Sequence, residues 1–392
     1  MSLSAKNWIN RGGELLSKDP KLAQRFINKG IKELPNEAIC YFNLGIGLHQ
    51  QGKIAAAIRA YEKCLSLPNP PVIEARNNLS QDLLLNGDWE RGWKLYEHRF
   101  ERRPGNFPIF HKEFGPRHFG QLIKNKPIIL MSEQGLGDTI QFCRFGIDLE
   151  RLGTPITLLS QSSLVELLRD GTKLKNVKEA IDIQEEKSNN PCWIPLMSIA
   201  NILEIEKSNI PFSKGYIKAN KELLYRWKVL LEKQNNNKLI ALHWQGNPKH
   251  EKTLYSRGRS IDFDRFLNLS GIPNTEFISV QKGPGSEQLK LDSGLLFSKG
   301  QAAVNKSMDF KDTAAILGNC DLLITTDSSV AHLGGAMGIP TWLLLRRIPE
   351  WRWGLKGKTT NWYQSMQLYR QDNDGEWEKV INNIKEDLCE YI

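Results

Sequence analysis

From Lys126 onward, short apolar runs alternate with amphipathic stretches. The first run, PIILMS at 127–132, has the length and composition of a buried strand. The elements predicted after it are helix 139–152, strand 155–159 and a helix around 162–169. Because this alternation is typical of parallel sheets with crossover helices, the pattern predicts an α/β half over residues 126–235.

A second series of the same kind begins after three consecutive asparagines at 235–237. Its predicted elements are strand 239–244, helix 262–269, strand 275–281, helix 311–318, strand 321–326, helix 329–337, strand 340–345 and a last helix at about 376–391 that packs back across the molecule. We therefore predict a second half over 236–392, so that two Rossmann-like, doubly wound sheets face a common cleft. Ligands of such sheets bind beyond the carboxyl ends of the strands.

The first hundred residues have a different period, since equivalent small and aromatic positions recur every 34 or 35 residues. The clearest copy has Tyr41, Leu44, Gly45 and Leu48 on a first helix, Gly52 at a turn, and Ala57 and Tyr61 on a second helix. Gly45 and Ala57 would let the two helix backbones approach closely. The segment resembles the tetratricopeptide repeat family and predicts an all-α region over 1–105, followed by a Pro- and Gly-rich connector at 106–125. It serves either as a peptide-binding groove or as a packing extension.

Composition narrows the class of protein. The chain has 392 residues, 53 Lys and Arg against 44 Asp and Glu, and a net charge of +9 without a dense basic block, which favours anionic small molecules over nucleic acid as partners. Six cysteines without a CxxC pair predict buried thiols in a reducing compartment. The sequence has neither an apolar run long enough for a membrane span nor a signal peptide, so we expect a cytoplasmic protein.

Two strand-to-helix loops carry candidate chemistry. The first, 133–139, has two glycines of a dinucleotide fingerprint but Ile140 in place of the third, so a dinucleotide site is not expected. Asp138 in this loop is interpreted either as a helix N-cap or as a general base at the mouth of the cleft. The second loop, Thr326–Ser329, opens a helix, and free amides with hydroxyls at a helix start suit a diphosphate. Instead of binding a ligand, Asp327 and Ser328 could cap the helix, and His332 could be a core residue.

The segments GLGDTIQFCRF (135–145) and TTDSSVAHLGGAMGIPTWLLL (325–345) resemble the heptosyltransferase-like glycosyltransferases of family 9. The resemblance is strongest to bacterial proteins that join tetratricopeptide repeats to such a domain. Further matching segments are HWQGNPKH, RGRSI, FISVQKG, DTAAILGNCDLLIT and PEWRWG. A cytoplasmic O-linked N-acetylglucosamine transferase shares the plan of repeats plus transferase.

The resemblance implies a GT-B fold and inverting transfer of a sugar from a nucleotide diphosphate donor, without a metal or other cofactor. It implies that Asp138 is the base, and that Arg259 holds the diphosphate, with Lys249, Lys252 and Arg257 as alternatives. The remaining implied donor-binding residues are Asp327, Ser328, Ser329 and His332 on the second loop, and Gln281 and Lys282 facing the nucleoside. The loop-supporting residues are Gly135, Gly137, Gln141 and Asn247. A saccharide or protein acceptor would be recruited by the repeat groove.

Other signals are interpreted structurally. Asp262 and Asp264 spell the DxD of metal-dependent transferases, but they precede an amphipathic run and are expected to cap a helix. Residues 372–375 lack the spacing of a calcium loop. Trp351 and Trp353 either stack on a ligand or pack in a core. The alternative to an enzyme is a non-catalytic repeat scaffold with a nucleotide-sensing module.

Overall fold

A computed structural model describes residues 3–101, 126–179, 192–234, 237–251, 257–307 and 309–392. The described residues fall into two compact units. Those of unit 1 lie within Met1–Phe107, Glu204–Glu206 and Ile348–Lys356, and those of unit 2 lie within Pro108–Leu203, Lys207–Arg347 and Gly357–Ile392. No described helix has both the length and the apolar character that a bilayer crossing requires.

The described N-terminal part of unit 1 is helical. Its helices are α1 (Leu3–Leu15), α2 (Pro20–Glu33), α3 (Ala38–Gln50), α4 (Ile54–Leu65), α5 (Val72–Asn86) and α6 (Trp89–Tyr96). The boundaries follow local chemistry, because the Asp19 side chain caps α2 and Gly87 ends α5 with a φ of 93°. The turn between α3 and α4 falls at Gly52, with a φ of 75°. The tetratricopeptide assignment stays a prediction.

Two segments that are distant in sequence complete the core of unit 1. The indole of Trp351 meets that of Trp93 edge-on at a centroid distance of 5.1 Å, and Trp93 Nε1 donates to the Ile205 carbonyl at 3.0 Å. Trp351 and Trp353 are both buried. Core packing, rather than stacking on a ligand, is therefore the role that the structure gives these two tryptophans.

The first sheet of unit 2 has four parallel strands. They are β1 (Ile128–Met131), β2 (Ile156–Ser160), β3 (Asn176–Glu179) and β4 (Cys192–Pro195), in the order β3-β2-β1-β4. In register, Ile128 lies opposite both Ile156 and Cys192. The helices of this half are α7 (Leu136–Arg151), α8 (Ser162–Gly171) and the short α9 (Ile199–Ile202). The sequence pattern predicted β1, α7, β2 and α8 but not the two edge strands.

The second sheet has five parallel strands in the order β6-β5-β7-β8-β9. Its elements, in chain order, are α10 (Lys221–Leu231), β5 (Lys238–His243), β6 (Thr275–Ser279), α11 (Gln301–Lys306), α12 (Phe310–Leu317), β7 (Leu322–Thr326), α13 (Ser329–Met337), β8 (Thr341–Leu345), β9 (Met366–Arg370) and α14 (Trp377–Tyr391). The described part of the chain is thus a mixed α/β protein with two parallel sheets.

Three expectations need correction. The predicted helix 262–269 is a 3₁₀ helix at Phe263–Leu269. The last helix, α14, packs against this 3₁₀ helix and β9 within its own half, and not back across the molecule. The cysteines are all free thiols, but they are not uniformly buried, because Cys192 and Cys320 are half-buried and Cys389 is exposed.

Candidate functional site

The two predicted loops meet within unit 2. Gly137 lies in the first turn of α7, and a Cβ atom at this position would stand 2.7 Å from His332 Cδ2 and 3.4 Å from Ser329 Cα. A side chain does not fit because the first turns of α13 occupy that space. Asp138 is the next residue, so the carboxylate-bearing loop lies against the start of the helix that follows β7.

Asp138 is the third residue of α7 and is half-buried. Its Oδ2 accepts a hydrogen bond from the amide of Gly135, the N-cap residue, at 2.8 Å. The N-cap alternative is therefore corrected, because Asp138 reaches back to the cap from the N3 position, as the acid of a capping box does. This bond fixes the carboxylate beside the first turn of α7.

Gln161, which sequence reasoning missed, braces the same loop. Its Oε1 accepts from Thr139 Oγ1 at 2.9 Å, and its Nε2 donates to the Gln134 carbonyl at 3.0 Å. Only its place directly after β2, at the edge where ligands of such sheets bind, could have indicated it. Gln141 lies further along α7 with its side chain completely buried.

The second loop presents polar groups at the carboxyl ends of β5 and β7. Ser328 is the N-cap of α13 but makes no side-chain capping bond, and its Oγ lies 3.3 Å from His243 Nδ1. Thr326 Oγ1 is fully buried and has no hydrogen-bond partner among the described residues. A helix start that no described side chain caps, lined with hydroxyls, retains the capacity to bind an anion.

His243 is a second residue that sequence reasoning missed as a site residue, although it opens the segment HWQGNPKH. It ends β5 and is nearly fully buried. Burial, assisted by the nearby Arg259 charge, lowers the pKa of His243 to about 3. The imidazole is consequently neutral at physiological pH and serves as a hydrogen-bonding group rather than as a cation.

Arg259 lies near this edge of the sheet. Its guanidinium packs against Gly246, where an added Cβ would be 3.1 Å from Nη2, and its Nε faces Glu251 Oε1 at 3.4 Å. Glu251 also accepts from the Ser260 hydroxyl, which makes it a half-buried counter-ion that sequence reasoning did not identify. Asn247 Oδ1 accepts from the Lys249 amide at 3.0 Å and so shapes the turn between them.

The alternatives to Arg259 differ in their surroundings. Lys249 and Arg257 are exposed, and the Arg257 carbonyl accepts from Arg346 Nη1 at 3.1 Å. Lys252 lies outside the described residues. The charge of Arg259 contributes to the lowered pKa of His243 and so connects this arginine to the carboxyl end of β5.

Gln281 and Lys282, which the resemblance places facing the nucleoside, make hydrogen bonds within the protein. The Gln281 amide accepts from the backbone amides of Trp244 and Gln245 at 3.1 and 3.0 Å and donates to the Pro284 carbonyl at 2.7 Å. Lys282 Nζ donates to the Val304 carbonyl, and burial lowers the pKa of this lysine. Gln281 thus ties the end of β5 to the loop after β6.

Within the described ranges, no group of three or more His, Cys, Asp or Glu side chains is placed to hold a metal ion. Asp264 is exposed and pairs with Lys290 at 2.7 Å, and Asp262 is the N-cap of the 3₁₀ helix. The DxD tripeptide therefore lies at a helix start at the protein surface, but the Asp262 side chain makes no capping hydrogen bond there, contrary to the prediction.

No protein-family model matches the chain. Protein FlbA of Caulobacter vibrioides is 24% identical over 387 residues, which cover 93% of this chain. This chain spans 64% of the length of that relative.

Solved structures give more distant likenesses. A family 9 glycosyl transferase from Veillonella parvula is 13% identical with a TM-score of 0.48, covering 70% of this chain and 99% of its own. The E. coli ADP-heptose lps heptosyltransferase II is 8% identical with a TM-score of 0.43, covering 67% and 99%. A mutant O-GlcNAc transferase from Thermobaculum terrenum is 11% identical with a TM-score of 0.30, covering 99% and 92%. At these scores no property of those proteins passes to this chain.

Proposed function

We propose that this chain is an inverting, metal-independent glycosyltransferase that moves a sugar from a nucleotide diphosphate donor to a saccharide or protein acceptor. The observation that carries the proposal is the contact at Gly137, because it places a carboxylate loop of one half against an anion-suited helix start of the other. The resemblance of residues 135–145 and 325–345 to family 9 supports the same reaction.

The proposed mechanism is a single displacement. Asp138 takes the proton of an acceptor hydroxyl, whose oxygen forms a bond to the anomeric carbon while the bond from that carbon to the diphosphate oxygen breaks. The leaving nucleoside diphosphate gains negative charge, which the start of α13, the Ser328 and Ser329 hydroxyls and the Arg259 guanidinium stabilise. Attack from the side opposite the leaving group inverts the anomeric configuration.

Residues around this centre supply its geometry in the proposal. The bond from the Gly135 amide to Asp138 Oδ2 orients the carboxylate. Arg259 must exchange its contact with Glu251 for the diphosphate, since one guanidinium is shared between them. The helices of unit 1 recruit the acceptor in this proposal.

The non-catalytic scaffold is the second candidate. The Asp138 capping geometry favours it, because an acid at N3 that bonds the N-cap amide has a structural role without any catalysis. A wild-type protein that binds nucleoside diphosphates but neither hydrolyses nor transfers any of the donor sugars supports this second candidate.

The Asp138→Asn variant separates the two candidates. An Asn oxygen still accepts from the Gly135 amide, so the fold and the binding of nucleoside diphosphates stay near normal. The base is lost, and we expect transfer to fall by roughly 10²-fold or more. The measurements are product formation from UDP-, GDP- and ADP-sugars, and thermal shift with each nucleoside diphosphate.

Asp148→Asn is the matched control, because this residue lies on the same helix and pairs with Arg151 at the surface. We expect it to leave transfer unchanged. Full transfer by Asp138→Asn contradicts the role of the base, and loss of transfer on addition of a chelator contradicts the metal-free mechanism.

A further inference from the structure

Tyr363 lies in a third segment of the chain and contacts both α7 and α13, the helices that follow the two loops. It lies just before β9 and is completely buried. Its hydroxyl is 2.9 Å from His332 Nδ1, and its ring meets the imidazole edge-on at a centroid distance of 5.9 Å. Tyr363 therefore contacts the histidine of α13 through both its ring and its hydroxyl.

The Tyr363 ring is held on two sides. At Gly335 on α13, an added Cβ would be 2.4 Å from Tyr363 Cγ, so the helix backbone lies directly against the ring. The guanidinium carbon of Arg144 on α7 lies 4.7 Å from the ring centroid. Packing against a backbone and a cation over the ring face leave the ring a single position.

Arg144 is itself fixed. Its guanidinium is completely buried, donating to the carbonyls of Gln141 at 2.9 Å and Trp362 at 2.8 Å and to the Tyr216 hydroxyl at 3.0 Å. Neutral oxygens and aromatic rings surround it. Such a cation is costly to bury, and it stays in place only because several elements supply these bonds together.

These contacts determine which edge of His332 faces the Asp138 loop. With Nδ1 bonded to Tyr363, the opposite Cδ2–Nε2 edge points toward Gly137, where an added Cβ would be 2.7 Å from Cδ2 and 3.5 Å from Nε2. We propose that Tyr363 is a positioning residue, held by Arg144 and Gly335, that fixes the His332 ring so that Nε2 is presented to the loop carrying Asp138. The effect of this positioning on catalysis rests on the proposed function, but the positioning of the His332 ring does not.

The Tyr363→Phe variant tests this inference. It removes one hydroxyl and keeps the ring that packs on Gly335 and Arg144. We expect a roughly tenfold or greater loss of turnover and an altered pH profile, by analogy with the 10–100-fold losses that follow removal of a partner that orients a metal-ligating histidine. Tyr369→Phe is the matched control, because it removes a hydroxyl bond to Asp387 Oδ2 of 2.6 Å that does not involve α13.

A second readout requires no activity. In protein labelled with ¹⁵N at the histidine rings, the His332 signals are assigned by their loss in His332→Gln. We expect one dominant tautomer in the wild type, and a changed tautomer ratio or titration midpoint in Tyr363→Phe but not in Tyr369→Phe. This readout also separates the two proposals, since a wild type without transferase activity ends the proposed function while the ring signals still test the positioning.

If the wild-type protein shows His332 as an average of both tautomers, the inference is wrong. This test needs no variant, so it remains decisive even if Tyr363→Phe does not fold. Unchanged His332 signals in a folded Tyr363→Phe protein overturn it as well. Changed signals with unchanged turnover and pH profile in an active enzyme overturn the catalytic consequence.

Discussion

At the scale of single residues, burial decides what a side chain contributes at the edge of the second sheet. Among the residues that the structure describes, the side-chain partners of His243 are hydroxyls, Thr325 Oγ1 at 3.4 Å and Ser328 Oγ at 3.3 Å. Neither compensates a buried positive charge, and Arg259 opposes one. The ring is neutral for that reason, and its protonation is coupled to unfolding.

The acid stability of unit 2 should reveal this coupling. The pKa of His243 is about 3 in the folded protein against an ordinary value of 6.5, so the unfolded chain binds the proton first as the pH falls. The stabilisation is complete above pH 6.5 and is lost between pH 6.5 and 3, with a slope near one proton, or about 1.4 kcal/mol per pH unit. In His243→Gln this contribution disappears. Urea unfolding of unit 2 from pH 7 to pH 4 measures the difference in slope.

His98→Gln is the control for this measurement, because it removes a partly exposed histidine of unit 1 that pairs with Glu101. We expect it to leave the slope of unit 2 unaltered. Equal slopes in wild type and His243→Gln would mean that the folded protein accepts the proton at its ordinary pKa.

At this scale, the sequence predicts site residues that lie in recognisable motifs. It misses site residues whose roles depend on contacts with residues distant in the sequence. Asp138 and Ser328 follow strands in recognisable loops. Arg144 and Tyr363 lie 219 positions apart in the sequence, and the roles of both residues depend on their contact with each other in the folded chain. Asp138 lies at N3 rather than at the N-cap because of where α7 begins, and helix propensity does not locate the start of a helix to a single residue.

At the scale of elements, the strands that the sequence predicted are mostly internal, and the strands it missed are edges. β3 and β4 are the two edges of the first sheet and β9 is an edge of the second. An interior strand is covered on both faces and carries a continuous apolar run, whereas NVKE in β3 is mostly polar. Three of the four edge strands were thus missed, whereas the fourth, β6, is fully buried and was predicted.

The contact between α3 and α4 is an element-scale feature that the sequence did predict. An added Cβ at Gly45 would lie 2.4 Å from Tyr61 Cε1, in a fully buried interface. We expect Gly45→Ala to destabilise unit 1 by about 1–3 kcal/mol, because overpacking outweighs the gain in helix propensity. Chemical denaturation followed by circular dichroism measures the change.

Gly13→Ala is the matched control within a helix of the same unit. An added Cβ there has its nearest neighbour, Asn43 Nδ2, at 3.7 Å, which is ordinary contact. Helix propensity then dominates, and we expect this variant to be neutral or stabilised by up to about 1 kcal/mol. The prediction is wrong if both alanine variants shift stability in the same direction by the same amount.

At the scale of the whole molecule, sequence contiguity does not define the units. The N-terminal helices alone leave Trp93 without two of its partners, which are supplied by Ile205 and Trp351. A reading of local periodicity assigns residues 1–105 to one region and cannot see short segments that return from far along the chain. Those segments carry no repeat pattern; what ties them to unit 1 is the burial of Ile205 in one and of Trp351 and Trp353 in the other.

Trp351→Ala measures how much that returning segment contributes to unit 1. The variant removes a buried indole that contacts Trp93 at 5.1 Å and Tyr96 at 6.4 Å, and we expect a loss of about 3–5 kcal/mol. Amide hydrogen exchange should accelerate in α5 and α6 while β5 and β7 keep their protection. Trp342→Ala, a buried indole of β8 in unit 2, should give the reverse pattern. Unchanged exchange in α5 and α6 would mean that the N-terminal helices form their core without the segment that contains Trp351, and the division of the chain would then follow its sequence order.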